Sequence, residues 1–361
     1  MSATDNIGSC LAVRWSLCVM AIVATIFASV ACSHPDEATI PAGDEAGPSP
    51  TPPVKLALDH AAEERTLALS CPHITDADVR NVLALAPAPR IINLQGLALV
   101  TMTPFSEFLI AMGYPEERIR NPRDGSLSYD SNFADGAKLA GSLAWYYEHE
   151  GMMPMLIGHS QGGMVVVKVL HELDGDFGHT IVVWNPVRDE TENRSWIVDP
   201  NSGMRRPVLG LKVPYGAAIA TGSLMRVLLF QWEMLPRLHQ IPDTVVEFTA
   251  YQLKWDPIAG NFGRAEPYQA MGSAKVRNVM LPSTADHMRL PFTKDLALDP
   301  ATRAWINSYS PSQPLPPPPD TRTDVSNLLH AADIWYSVKK YWCIEAQRLI
   351  LAERAKTTTF N

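Results

Sequence analysis

Met153-Pro154-Met155-Leu156-Ile157-Gly158-His159-Ser160-Gln161-Gly162-Gly163-Met164-Val165-Val166-Val167 is the stretch that decides the fold of this chain. Residues 153–157 read as a short buried strand, and residues 164–173 continue as a helix whose Val-rich face suits burial. Between them Gly158, Gly162 and Gly163 surround Ser160. A strand that runs into a helix through so tight a turn tolerates little beyond hydrogen two residues before and after its apex.

Working outward, residues 90–96 form an apolar run stopped by Gly96, and Thr103-Pro104 opens a helix that ends at Gly113, with Pro at the first helical position. Residues 118–122 read as another short strand. Residues 131–150 read as a long helix with a Ser cap and Gly151 at its end. The next strand is expected at 180–184, followed by a long excursion over 185–241 with an apolar, helix-like stretch at 217–235. Strands return at 245–251 and 276–281, while 56–86 looks helical. Six strands alternating with helices imply the α/β class, with a mainly parallel sheet covered on both faces.

The chain has 361 residues, 46% of them hydrophobic, and a formal charge of -8 without a run of Lys or Arg. That is enough apolar surface for a large core, and it gives a nucleic-acid backbone no electrostatic partner. The 30 prolines concentrate near 35–53 and 311–319, as expected of a tether and a tail linker around a folded middle. After the second of these, Leu328, Ala332, Trp335, Val338, Trp342, Ala346 and Leu349 are spaced by three and four, one face of a long helix that packs back on the domain or meets a partner or membrane.

At the N-terminus a polar stretch with Arg14 precedes an apolar run at 17–30, which reads as an export signal too short to span comfortably. Its end, Ser29-Val30-Ala31-Cys32, resembles the lipobox of bacterial lipoproteins, which implies acylation of Cys32 and a membrane-anchored protein facing the periplasm or held in the outer membrane. Ser29-Val30-Ala31 equally suits an ordinary signal peptidase, which would leave the protein periplasmic or secreted. Residues 33–54 are poor in groups that could offset the entropy of ordering and are expected to act as a tether of about 25 Å r.m.s. length. Of the five cysteines, an acylated Cys32 leaves Cys71 and Cys343 in an oxidising compartment, either paired or as two buried thiols. The expected division is a signal at 1–31, a tether at 32–55, a domain at 56–310 with a cap at about 186–241, a Pro-rich linker at 311–320 and a helix at 321–361.

A Ser hydroxyl is a weak nucleophile until a base takes its proton, so the informative feature is a backbone that presents Ser160 while freeing amides for an oxyanion. A bare Gly-x-Ser-x-Gly arises by chance in a chain of this size at a frequency on the order of 0.1, and the flanking strand and helix lower that several-fold. Through Leu156-Ile157-Gly158-His159-Ser160-Gln161-Gly162-Gly163 the chain resembles the α/β-hydrolase superfamily, its lipases and esterases in particular, over about residues 88–292. The resemblance implies an α/β-hydrolase fold and a Ser, acid, His order with each group on a loop after a strand. Trp255-Asp256-Pro257-Ile258 is similar to the acid-bearing loop and Val279 to His287 to the His-bearing loop. The implied triad is Ser160, Asp256 and His287. Asp189, after the expected strand at 180–184, competes as the acid, and a turn-capping Asp256 or a surface His287 paired with Asp286 are the bland alternatives. The oxyanion donors are the amides of Gln161 and Leu97; where family members show His-Gly, this chain has Gln95-Gly96.

The resemblance thus implies hydrolysis of a carboxylic ester through an acyl-enzyme, and the sequence, with no His or Cys cluster at ligand spacing, no phosphate-cradling Gly loop and no dinucleotide fingerprint, leads us to expect no metal or cofactor. The apolar segments 214–220 and 224–232 are read as an acyl-sized surface in the cap or as the core of the cap. Amidase, thioesterase or acyltransferase chemistry on the same triad, and a tethered binding protein without turnover, are the competing classes.

Overall fold

The computed structural model describes residues 58–97, 100–131, 135–222 and 231–359. The signal, Cys32 and the tether lie outside them. Five parallel strands make one sheet in the order of the sequence: β1 (Ile91–Leu94), β2 (Met155–His159), β3 (Val213–Ile219), β4 (Val245–Gln252) and β5 (Lys275–Met280). The mixed α/β class with a central parallel sheet is as expected, with five strands rather than six.

Side chains of a strand alternate between faces, and here the alternation sorts the core into two halves. Ile91, Met155, Ile157, Tyr215, Ala217, Ile219 and Tyr251 enter one apolar cluster. With them pack α1 (His60–Leu67), α2 (Asp76–Asn81), α3 (Thr103–Met112), α6 (Lys294–Leu298), α7 (Pro300–Ser308) and α8 (Leu328–Thr359), α1 through its contact with α8. Ile92, Leu156, Ala218, Phe248 and Ala250 enter the other, against α4 (Gly136–Glu150) and α5 (Gln161–Asp174). The sheet is therefore covered on both faces.

The apolar face of α8 packs back on the domain. Trp335 and Trp342 are fully buried, each contributing about 5 kcal/mol by area as an upper bound. Its Asp333 carboxylate accepts from Arg277 of β5 at 2.9 and 3.0 Å, from Tyr309 at 3.0 Å and from Tyr251 at 2.5 Å. A disulfide joins Cys343 of α8 to Cys71, with Cα atoms 5.4 Å apart. The linker 311–320 is irregular, and the Trp305 indole donates to the Pro317 carbonyl at 2.8 Å.

Four expectations are corrected. Residues 213–219 are the central strand β3 and no part of a cap, so the excursion splits into 186–212 and 220–241 around a piece of the sheet. Its run Val213-Pro214-Tyr215-Gly216-Ala217-Ala218-Ile219 lacks strand-like composition because its neighbours demand small residues: a Cβ at Gly216 would lie 3.1 Å from the Phe248 ring. Pro214 is tolerated because pairing with β2 begins only at Gly216. Residues 180–184 are not a strand of the central sheet: Val183 bonds locally with Arg194 at 2.7 Å and Glu192 at 2.9 Å, and Trp184 pairs with Thr191 in a two-residue hairpin ladder. Residues 118–122 leave a 3-10 turn instead of a strand, with the Glu117 and Arg120 carbonyls held by Arg90; Tyr129 supplies a single bridge beside Leu94. Helix α4 starts at Gly136, capped by Asp135 rather than Ser131.

Candidate active site

Ser160 stands between β2 and α5 with φ 53° and ψ -115°, a strained region for any residue with a Cβ. What imposes it is the close approach on either side. A Cβ at Gly158 would lie 2.3 Å from the Gly162 backbone, and one at Gly162 would lie 2.2 Å from the Leu94 carbonyl. The turn is closed by the Ser160 N–H donating to Ile219 O at 2.7 Å and by the Thr221 hydroxyl donating to Ser160 O at 2.7 Å.

Three of the sequence-designated residues come together at the C-terminal ends of the strands. Asp256 follows β4 in a two-residue ribbon with Asn261 and Phe262, and His287 follows β5 in a 3-10 turn. The His287 Nδ1 lies 2.7 Å from Asp256 Oδ2, and its Nε2 lies 3.0 Å from Ser160 Oγ. A carboxylate only accepts, so Nδ1 carries the proton and Nε2 turns a lone pair to the hydroxyl. The other Asp256 oxygen, Oδ1, accepts the Ala259 N–H at 3.0 Å. All three side chains are buried.

Asp189 is elsewhere. Its carboxylate pairs on the surface with Arg123 at 2.6 Å and Lys138 at 2.7 Å; these cations hold it below the usual carboxylate range, hydrogen bonding to Lys138 being the largest cause. The sheet strand before β4 is β3, and Ala220, Thr221 and Gly222 follow it without an acid. Asp286 does not pair with His287; it caps the turn by accepting the Met288 N–H at 3.0 Å.

The Gln161 N–H opens α5, where the first amides lack helical partners. Gly96 packs against Ser160, since a Cβ there would lie 3.3 Å from Ser160 Cβ. The Gly96 N–H donates to the Val100 carbonyl and the Val100 N–H to the Leu97 carbonyl, at 3.2 and 3.1 Å, which closes the loop on itself. Sequence reasoning missed what fixes this loop. Ser131 donates to the Gln95 carbonyl at 2.5 Å, and the Gln161 side chain donates to Ser131 O at 2.9 Å. A Ser ahead of a long apolar helix reads as its cap, so the sequence offered no separate signal for this role.

His159 is fully buried beneath the turn. Its Nε2 lies 2.9 Å from the His287 carbonyl, an acceptor, so Nε2 carries the proton. Burial, and then the His287 charge, push its pKa down to about 3, and the ring is neutral at working pH. Among the described residues no group of three or more His, Cys, Asp or Glu side chains is placed to hold a metal ion, and no helix is long and apolar enough to cross a membrane. No family model, curated protein or solved structure matches the chain.

Proposed function

We propose that this chain is a serine hydrolase of the α/β-hydrolase type that cleaves carboxylic esters through an acyl-enzyme. The single observation that carries the reading is the Ser160, His287, Asp256 relay at 3.0 and 2.7 Å. Its members follow β2, β4 and β5 in the chain order of that superfamily. In the reaction His287 Nε2 takes the Ser160 proton as Oγ bonds to the ester carbonyl carbon. The resulting oxyanion accepts from the Gln161 and Leu97 amides, and Asp256 stabilises the imidazolium. The carbon to alkoxy-oxygen bond then breaks, the alcohol leaves with the proton from His287, and water repeats the sequence to release the acid. Each loop carries an exposed apolar side chain beside its functional group, namely Leu97, Trp255 and Met288, which favours an apolar ester.

We also propose that the enzyme is exported and held at a membrane through acylated Cys32. Incorporation of labelled palmitate into the wild type and its loss in Cys32→Ser tests this; unlabelled wild type starting near Cys32 would contradict it. The activity is tested with p-nitrophenyl esters of rising chain length. Wild type turns them over and Ser160→Ala loses at least about 10³-fold; activity of the variant within tenfold of wild type would overturn the assignment.

A further inference from the structure

Catalytic precision in this arrangement depends on one loop, residues 287–292, whose backbone follows β5 and carries His287. Four of its six carbonyls are held by buried side chains from outside the loop. His159 Nε2 takes His287 O at 2.9 Å. Asn327 Nδ2 takes Arg289 O at 2.8 Å and Phe292 O at 3.1 Å. His330 Nε2 takes Leu290 O at 2.9 Å.

Asn327 and His330 belong to the start of α8, about forty residues beyond His287 and past the Pro-rich linker. Both are buried, at 5% and 0% exposure. We infer that Asn327 and His330 are positioning residues for His287: the start of the C-terminal helix sets the imidazole of the triad at its working distance.

The chemistry of the donors favours this over mere filling of space. A backbone carbonyl only accepts, so each histidine is fixed as its Nε2–H tautomer, leaving Nδ1 buried without a hydrogen-bond partner in both rings. The Asn327 Oδ1 is likewise buried and unpartnered. Apolar residues would fill these places without leaving such atoms, whose desolvation is costly. What the polar residues supply is direction: three hydrogen bonds to carbonyls within the four residues 289–292 fix the rotation of the 287–292 backbone, and with it the line from Nε2 to Ser160 Oγ. Displacement of a catalytic group by about 1 Å costs on the order of 10²-fold in rate, so partial loss of this hold is expected to cost about tenfold.

The inference rests on the proposed hydrolase reading for its kinetic arm and has a second arm that does not. Asn327→Ala and His330→Leu are expected to lower kcat on p-nitrophenyl acetate about tenfold with KM within twofold, and His330→Gln, which can present an amide N–H near the Nε2 position, to recover to within threefold. Lys340→Met, which cuts another tie of α8 to the sheet at Glu247 (2.6 Å), is the control for loosened packing: a lower melting temperature with unchanged kcat. In proton NMR the downfield resonance of the His287 Nδ1–H bound to Asp256 should broaden or vanish in Asn327→Ala and His330→Leu and persist in Lys340→Met. If the wild type has no esterase activity but the resonance follows this pattern, the hydrolase reading fails and the positioning role stands. Unchanged kcat and an unchanged resonance in both variants well below their melting temperatures would overturn it.

Discussion

The C-terminal rim of the sheet and the face beneath α8 are built on opposite terms. At the rim, Ser160 sits at positive φ, between Gly158 and Gly162, neither of which has room for a Cβ. Under α8 the Asp333 side chain has its oxygens met by Arg277, Tyr251 and Tyr309, two tryptophans are fully buried and a disulfide closes a separation of 272 residues. On the proposed hydrolase reading this is a division of labour in which strain is kept where chemistry needs a poised group, and the face beneath α8 supplies stability to hold it. Changes at the rim should therefore move turnover with little effect on melting, and changes at the Asp333 cluster or the disulfide should do the reverse.

The strongest test of that division is Asp256→Asn, which mis-sets the His287 tautomer. It is expected to lower kcat by about 10⁴ with the melting temperature within a few degrees, while Asp189→Asn stays within twofold in the same ester assay. Next comes Arg277→Met, which strips a buried carboxylate of its cation. Denaturant unfolding should show a loss of about 3 to 5 kcal/mol, with kcat of the folded fraction within threefold; a large fall in kcat at full folding would erase the contrast between the two regions. Replacing Cys71 and Cys343 together by Ser should cost about 2 to 5 kcal/mol and leave kcat unchanged.

How much of this was legible follows from the kind of constraint at each place. The turn at Ser160 shows in the sequence because its backbone admits only Gly at 158 and 162, a demand visible in one residue type at fixed offsets. Asp256 and His287 show only through the resemblance to α/β-hydrolases, which implies an acid and then a His on loops after later strands, and each follows an apolar, β-branched run by a few residues. Strand β3 did not show: it is buried on both faces, so it lacks alternation, and its Pro, Gly and Ala answer to neighbours that are distant in sequence. The error carried over to Asp189, which gained its standing only from a strand at 180–184 that the hairpin to Arg194 replaces. Asn327 and His330 were equally hidden, since their partners are backbone carbonyls about forty residues away and carbonyls carry no sequence signature.

A smaller effect sharpens the boundary between the two regions, where His159 and His330 meet the His287 loop. Burial is the main cause that lowers their pKa values, to about 3 and about 4. The unfolded chain takes up protons on both near pH 6.5 and the folded chain does not, so stability falls as pH drops from 6.5 toward 4, by up to about 1.4 kcal/mol per pH unit for each group. Melting temperatures between pH 7 and 5 should decline, and His330→Gln should make the decline shallower; an unchanged slope would show that His330 is not buried as a neutral ring.

The central claim is that the His287 relay makes Ser160 a nucleophile, and reaction with a fluorophosphonate followed by peptide mapping tests it most directly. The account predicts one equivalent of adduct on Ser160 of the folded protein, slowed by orders of magnitude in Asp256→Asn and absent in Ser160→Ala. No adduct on folded wild type, or an adduct on another residue that persists in Ser160→Ala, would contradict it.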